Sequence, residues 1–346
     1  MKLSFSTRGW ESLNWEEWLC LAQEMRFGGI EIYNPQRNAA LFDRSGPFHK
    51  YTAGATLRAL SDAGISIPCL DSSIDISAPD GERGAAALID MAAELRVPCV
   101  SVVALNDDED RVRGALTRLL PAAGEKRVTL LIKTSGIYAD TARLRQVMDH
   151  FACDELAALW DMHHPYRDHG ETAAQTITNL GAYVRHVHLR DSDDSGAYNL
   201  VGEGTLPIAE MMRALSSVNY DGFISIEWKP EWMEDLQDPQ VIFPHFVNYM
   251  HRFESPRRMK KTLYFNRAHT GQFVWKKDAL IDATFPKVLD RMAEEFPDQT
   301  AIRFTTLDYT RSYAEFREDV DNFARALIAL GVKPGSHVAM WATNLP

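Results

Sequence analysis

Eight short apolar runs alternate with amphipathic stretches between Lys2 and Trp228, and this alternation constrains the fold more than any other feature. The runs are KLSFS, GGIEIY, ISIPCL, CVSVVAL, VTLLIKT, LAALWD, VRHVHLR and FISIEW. Nearly continuous apolar strands suit a sheet covered on both faces, and a helical stretch between successive strands forces parallel pairing through crossovers. Eight such units in roughly 250 residues match a closed (β/α)8 barrel. The expected fold class is therefore α/β, a TIM barrel over residues 1–255. An open doubly wound sheet is the alternative, but no GxGxxG follows any strand to support it. The first intervening stretch, NWEEWLCLAQEM, reads as a helix: Asn14 and Glu17 have capping-box spacing, and Trp15, Trp18, Leu19, Ala22 and Met25 share a face.

Beyond the eighth run lies one more helical pattern, PQVIFPHFVNYMHRF, followed by a basic linker over residues 256–278. From Ala279 a small α/β appendage begins, with a helix FPKVLDRMAEEF, short strands around AIRF and YTRS, and a helix YAEFREDVDNFARALIAL. Charge divides along the same line: residues 1–255 carry 23 Lys and Arg against 37 Asp and Glu, and residues 256–346 carry 14 against 11. An acidic barrel repels phosphate backbones, so nucleic acid is not an expected partner. No stretch approaches the roughly 20 apolar residues of a membrane span, and MKLSFSTRGW has no secretory apolar core, so a cytoplasmic protein without membrane partners is expected. Cys20, Cys69, Cys99 and Cys153 lie scattered in apolar stretches without a CxxC pair and read as reduced core residues.

Chemistry in such a barrel sits at the C-terminal strand ends, and here these are polar. Run five ends in Lys133 and Thr134, run six in Asp161 followed by His163 and His164, run seven in His186 and His188, and run eight in Glu227. Imidazoles and carboxylates converging there suit a divalent metal, Mn, Co, Zn or Fe(II), with Mg a further candidate. The same groups equally suit a structural ion-pair network. Arg8, Trp10, Glu31, Tyr33 and Asn34 close the first two units and are candidates for a substrate wall in which Trp10 stacks on a sugar ring. Arg190 and Lys229 extend that candidate substrate-binding set.

The stretches LWDMHHPY, HVHLRDS, LVGEG and ISIEWKP resemble the late strands of the xylose isomerase-like superfamily of sugar isomerases, ketose 3-epimerases, inosose dehydratase and endonuclease IV. In that family an Asp-x-x-His follows strand six, a His-x-x-Asp follows strand seven and a Glu closes strand eight. Asp161 with His164, His188 with Asp191, and Glu227 match these positions. The resemblance implies Asp161, His188 and Glu227 as metal ligands, His164 touching substrate or a second metal, and Glu203 supporting a loop. Endonuclease IV chemistry is set aside, because a trinuclear zinc site needs more ligands than these strand ends offer.

One residue departs from the pattern. The family places a Glu at the end of strand five, where this chain has Lys133. Three readings follow. Three ligands and waters still hold a metal, with Lys133 as an electrophile or acid toward the substrate oxygen and Glu227 as base, giving isomerase, epimerase or dehydratase (lyase) chemistry. Alternatively, Lys133 takes the metal's place in a metal-free site for an anionic sugar-like acid. In the third, the barrel is a non-catalytic ligand-binding module. The expected function is proton transfer beside a carbonyl of a sugar or hydroxy acid, with catalytic candidates Glu227, Lys133 and His164. A small-molecule substrate and a homo-oligomer are the expected partners.

The appendage resembles the opening of the adenylate-forming acyl-CoA synthetases through TFPKVLDRMAEEFPDQTAI, RSYAEFREDVDNFARAL and GVKPGSHVAMWATN. Only the first fifty to seventy residues of that fold are matched, without its phosphate loop, so neither ATP binding nor adenylation is expected of the tail.

Overall fold

In a computed structural model, which describes residues 1–233, 236, 238–253, 283–304, 309–333 and 335–339, the eight runs close into a parallel barrel. Its strands are β1 (Lys2–Ser6), β2 (Gly29–Tyr33), β3 (Leu70–Asp71), β4 (Cys99–Val102), β5 (Thr129–Lys133), β6 (Leu156–Asp161), β7 (Val184–Leu189) and β10 (Phe223–Ile226). The ring order is β1–β10–β7–β6–β5–β4–β3–β2. An antiparallel ribbon, β8 (Asp191–Ser192) with β9 (Tyr198–Asn199), projects beyond β7. The helices are α1 (Trp15–Glu24), α2 (Ala53–Asp62), α3 (Gly81–Leu95), α4 (Glu109–Lys126), α5 (Thr141–Phe151), α6 (His163–His169), α7 (Ala173–Leu180), α8 (Ile208–Ser217) and α9 (Pro239–Met250).

Helix α1 begins as its sequence predicts: the Glu17 amide donates to Asn14 Oδ1 at 3.0 Å and the Asn14 amide donates to Glu17 Oε2 at 2.7 Å. Strand β3 is shorter than the run ISIPCL because Pro68 has no amide to give to a ladder. Pairing there reduces to an isolated Gly29–Ser66 bridge and the Leu70–Asp71 step.

Alternation along the strands sorts the side chains into two layers. Leu130, Ile132, Trp160, Val187 and Leu189 join helix residues such as Leu119, Val147, Leu180 and Leu215 in the outer core. Cys69, Leu131, Ala157 and Leu159 fill the interior on the side of β3, β5 and β6. On the opposite side the interior is polar: Ser4 and Ser225 hydroxyls meet at 2.6 Å, Ser225 reaches His186 at 3.2 Å, and His186 pairs with Glu31. This column of buried polar groups carries the site.

Two sequence expectations are corrected here. Trp10 does not line a substrate wall; it is 3% exposed and packs edge-on against Phe243 in the outer core. Cys20 is exposed rather than part of the core, although all four cysteines are free thiols as expected.

The chain divides into two compact units, Met1–Lys260 and Lys261–Pro346. The basic linker expected over 256–278 lies outside the described residues. In the second unit α10 (Phe285–Glu295), antiparallel β11 (Thr300–Phe304) and β12 (Tyr309–Ser312), and α11 (Tyr313–Ala329) follow the predicted order. Phe323 and Ile328 on α11, and Leu330 just after it, are exposed. Among the described residues no helix is long and apolar enough to cross a membrane.

Candidate functional site

The fold brings seven of the predicted residues, Arg8, Glu31, Lys133, Asp161, His188, Arg190 and Glu227, into one cluster at the C-terminal rim. Asp161 sits opposite His188, and β10 delivers Glu227 one residue beyond its last pair with β7. Lys133 Nζ donates to Glu227 Oε1 at 2.7 Å and lies 3.7 Å from Asp161 Oδ2 and 3.9 Å from Asp71 Oδ2. Arg190 Nη1 lies 2.9 Å from Asp161 Oδ2 and also donates to Glu227 Oε2. Arg8 Nη1 donates to Glu227 Oε1 at 3.2 Å. The His188 ring bridges two carboxylates, with Nε2 at 2.9 Å from Glu31 and Nδ1 at 3.1 Å from Glu227.

Burial opposes every one of these charges, so the pairing decides the ionisation states. For Lys133, Asp71, Glu227 and Asp161 outweigh burial and hold the ammonium above its ordinary range. Against the same penalty, Lys133, His188 and Arg190 hold Glu227 well below the carboxylate range, and Arg190, His164 and Lys133 do likewise for Asp161. His188, buried between Glu31 and Glu227, is pushed up to about 10 and is an imidazolium at neutral pH. Glu227 is thus held as a carboxylate, paired with Lys133, Arg190 and Arg8.

Three groups of side chains among the described residues come close enough to share a cation: Glu31, His186 and His188; Asp71, His188 and Glu227; and His163, His164 and Asp168. The expected trio of Asp161, His188 and Glu227 is not among them; Asp71 takes the place of Asp161, whose Oδ2 lies 2.9 Å from Arg190. Divalent ions need a neutral imidazole lone pair and free carboxylate oxygens. Here the carboxylates already pair with the Lys133 ammonium and the Arg190 guanidinium. The residues around Glu227 do not fit a metal as they stand.

His164 lies at the edge of this cluster with 29% of its side chain exposed. Its Nδ1 meets Asp168 Oδ2 at 2.5 Å, and its Nε2 is 3.8 Å from Asp161 Oδ2. With Nδ1 taken by Asp168, Nε2 is the ring nitrogen left on the side of Asp161. Neighbouring His163 is different: burial pulls it down to about 4, and it is a neutral ring at 3.0 Å from Ser192 and stacked on Tyr198.

Of the remaining residues, Tyr33 stacks with Arg8 and hydrogen-bonds Ser73 at 2.5 Å, while Lys229 lies over the Trp232 ring. Asp191 points away from the site. It accepts from the amides of Ser192, Gly202, Gly204 and Leu206 at 2.8–3.2 Å, which fixes the loop after the ribbon. That is the task expected of Glu203, whose side chain is exposed. Sequence reasoning missed Asp71, although it closes the third run as Glu227 closes the eighth.

A family model described as Xylose isomerase-like TIM barrel matches residues 19–242, and one described as AMP-binding enzyme matches residues 289–346. A fructoselysine 3-epimerase of Escherichia coli O157:H7 is 31% identical over 81 residues, 23% of this chain and 29% of that protein. A putative acyl-CoA synthetase, YngI of Bacillus subtilis, is 32% identical over 66 residues, 19% of this chain and 12% of that protein. The chain thus spans less than a third of either curated relative. Among solved structures, the probable 3-DHS dehydratase AsbF of Bacillus anthracis superposes with a TM-score of 0.61 at 15% identity, covering 72% of this chain and 99% of that one. The IOLI protein with a bound zinc atom gives 0.57 at 14% identity, covering 73% and 96%.

Proposed function

Because this chain belongs to the xylose isomerase-like TIM barrel family, we propose that its barrel is an isomerase- or epimerase-type enzyme. It moves a proton beside a carbonyl of a sugar or hydroxy acid, and it does so without a metal. The observation that carries this reading is the Lys133 ammonium 2.7 Å from Glu227 and within 3.9 Å of Asp161 and Asp71, where a dication would otherwise balance those carboxylates.

In this reading His164 Nε2 takes the proton from the carbon next to the carbonyl. The C–H bond breaks, its electron pair forms the enediolate, and negative charge develops on the carbonyl oxygen. Lys133 and Arg190, held by Glu227 and Asp161, oppose that charge from a preorganised site that needs no reorganisation. Return of the proton from His164 to the former carbonyl carbon, with the adjacent hydroxyl's proton passing to the former carbonyl oxygen as the hydroxyl becomes the new carbonyl, completes an isomerisation. Asp168 stabilises the imidazolium between the two steps.

A metal-dependent enzyme is the second reading, favoured by the convergence of Asp71, His188 and Glu227. Both are tested by following deuterium uptake from D2O into a panel of ketoses and keto acids by NMR. Uptake that persists after exhaustive chelation and falls at least about 100-fold in His164→Ala is the expected outcome. Uptake that vanishes on chelation and returns with Mn, Co or Zn supports the metal instead. No uptake across the panel favours a non-catalytic ligand-binding barrel.

A further inference from the structure

Opposite the rim, the floor of the barrel holds a cavity of about 500 Å³, within the roughly 300–1,000 Å³ of small-molecule sites. It opens where the strand ladder is weakest. Strand β3 starts only at Leu70 and meets β4 through the single pair Leu70–Val100, whereas four pairs join β4 to β5. The approaches to β3 and β4 supply Ile65, Ile67, Leu95 and Val97 to the cavity wall, and α2 supplies Leu57 and Leu60. Apart from Phe223, at the start of β10, the apolar part of this wall is aliphatic.

Two arginines line the same cavity. Arg96 follows α3 with a left-handed backbone, φ 56°, and Arg185 is the second residue of β7; both are exposed. Lys2 adds a third cation beside the wall, its ammonium 5.2 Å from the centre of the Phe223 ring. Among the described residues no carboxylate forms an ion pair with any of these three, and the Arg185 guanidinium donates to the Ala182 carbonyl at 3.3 Å. Elsewhere on the barrel exposed cations do find acids, as Arg118 finds Glu82 and Lys126 finds Asp90. Carboxylates are in excess over residues 1–255 as a whole, so this face is a local exception.

Cations without acid partners beside an aliphatic wall complement a molecule with one negative charge at the end of a hydrocarbon chain. Covering the wall removes apolar surface from water, and the guanidinium forks match a carboxylate. Inorganic phosphate makes no use of the wall, and a neutral alcohol makes no use of the charge. We propose that this cavity is a binding site for a medium-chain aliphatic carboxylate, with the chain against Leu57, Leu60 and Ile67 and the carboxylate at Arg96 and Arg185. The site is separate from the rim cluster and stands or falls independently of the proton transfer assigned there.

Calorimetric titration of the full chain with octanoate, butyrate, octanol and inorganic phosphate tests it. Octanoate should bind at least about tenfold more tightly than octanol, which lacks the charge, and than butyrate, which lacks the chain. Phosphate at the same concentration should leave octanoate binding unchanged. Arg96→Asn combined with Arg185→Gln should lower octanoate to the level of octanol. Asn accepts the left-handed backbone at position 96 and both positions are exposed, so this variant should melt as wild type does. Ser61→Trp, at an exposed position on the cavity wall, should obstruct the cavity and weaken octanoate with both arginines intact. No octanoate binding, equal binding of octanoate and octanol, displacement by phosphate, or unchanged octanoate affinity in either variant would each overturn the site.

Discussion

Lys133 is the residue on which this site turns. Its ammonium neutralises carboxylates that have been taken out of water, and an unpaired buried charge costs several kcal/mol. Replacing it with the residue the family carries should exchange an internal cation for an external one. Lys133→Glu is expected to hold about one Mn, Co or Zn ion per chain after dialysis and to melt higher with the ion than without it, while wild type retains none and is indifferent. Elemental analysis beside thermal denaturation reads both. Metal retained equally by wild type would remove the basis for the ammonium's role. The importance of Lys133 was legible in the sequence from its place at the end of the fifth run. Two of its partners, Asp161 and Glu227, were legible there too; Asp71 was not, because only the pairing of strands distant in sequence brings it within 3.9 Å.

At the level of elements, the ribbon β8–β9 and its following loop form one wall of the mouth. Tyr198 on β9 stacks between His163 and Trp232, 4.0 Å from the latter. Asp191 holds that loop by its amides, and a Cβ on Gly204 would stand 2.2 Å from Asp191 Oδ1. Gly204→Ala should therefore destabilise by about 1–3 kcal/mol and expose residues 193–205 to proteolysis. Urea denaturation and limited digestion check it; wild-type stability with an unchanged digest would mean the loop is not held this way. The helices tell the opposite story. The capping box of α1 was readable from Asn14 and Glu17 because a cap is a local contact, whereas the task of Asp191 depends on amides 11 to 15 residues away.

For the whole molecule, two histidines set opposite pH limits on stability. His188 binds its proton up to about 10 in the folded state and to about 6.5 in the unfolded chain, so stability falls as pH rises through that window. His163 stays neutral down to about 4, so stability also falls as pH drops from about 6.5 toward 4. Stability should peak near pH 6.5, with a loss on the order of 1 kcal/mol per pH unit between 7 and 8. The buried thiols Cys69 and Cys99 add to that loss at higher pH. His188→Gln should flatten the slope between pH 7 and 8; an unchanged slope in urea midpoints would mean His188 is not charged in the folded protein.

The barrel, its eight units and the polar character of its rim were determined by the sequence itself, because hydrophobic period and capping are properties of neighbours along the chain. Only the tertiary structure decided that Trp10 turns into the outer core, that Asp71 joins Glu227, and that Glu227 is paired with Lys133, Arg190 and Arg8. Those outcomes depend on distances between strands far apart in sequence. Coulombic balance in a buried cluster depends on every charge within a few ångströms, which no single segment of the chain contains.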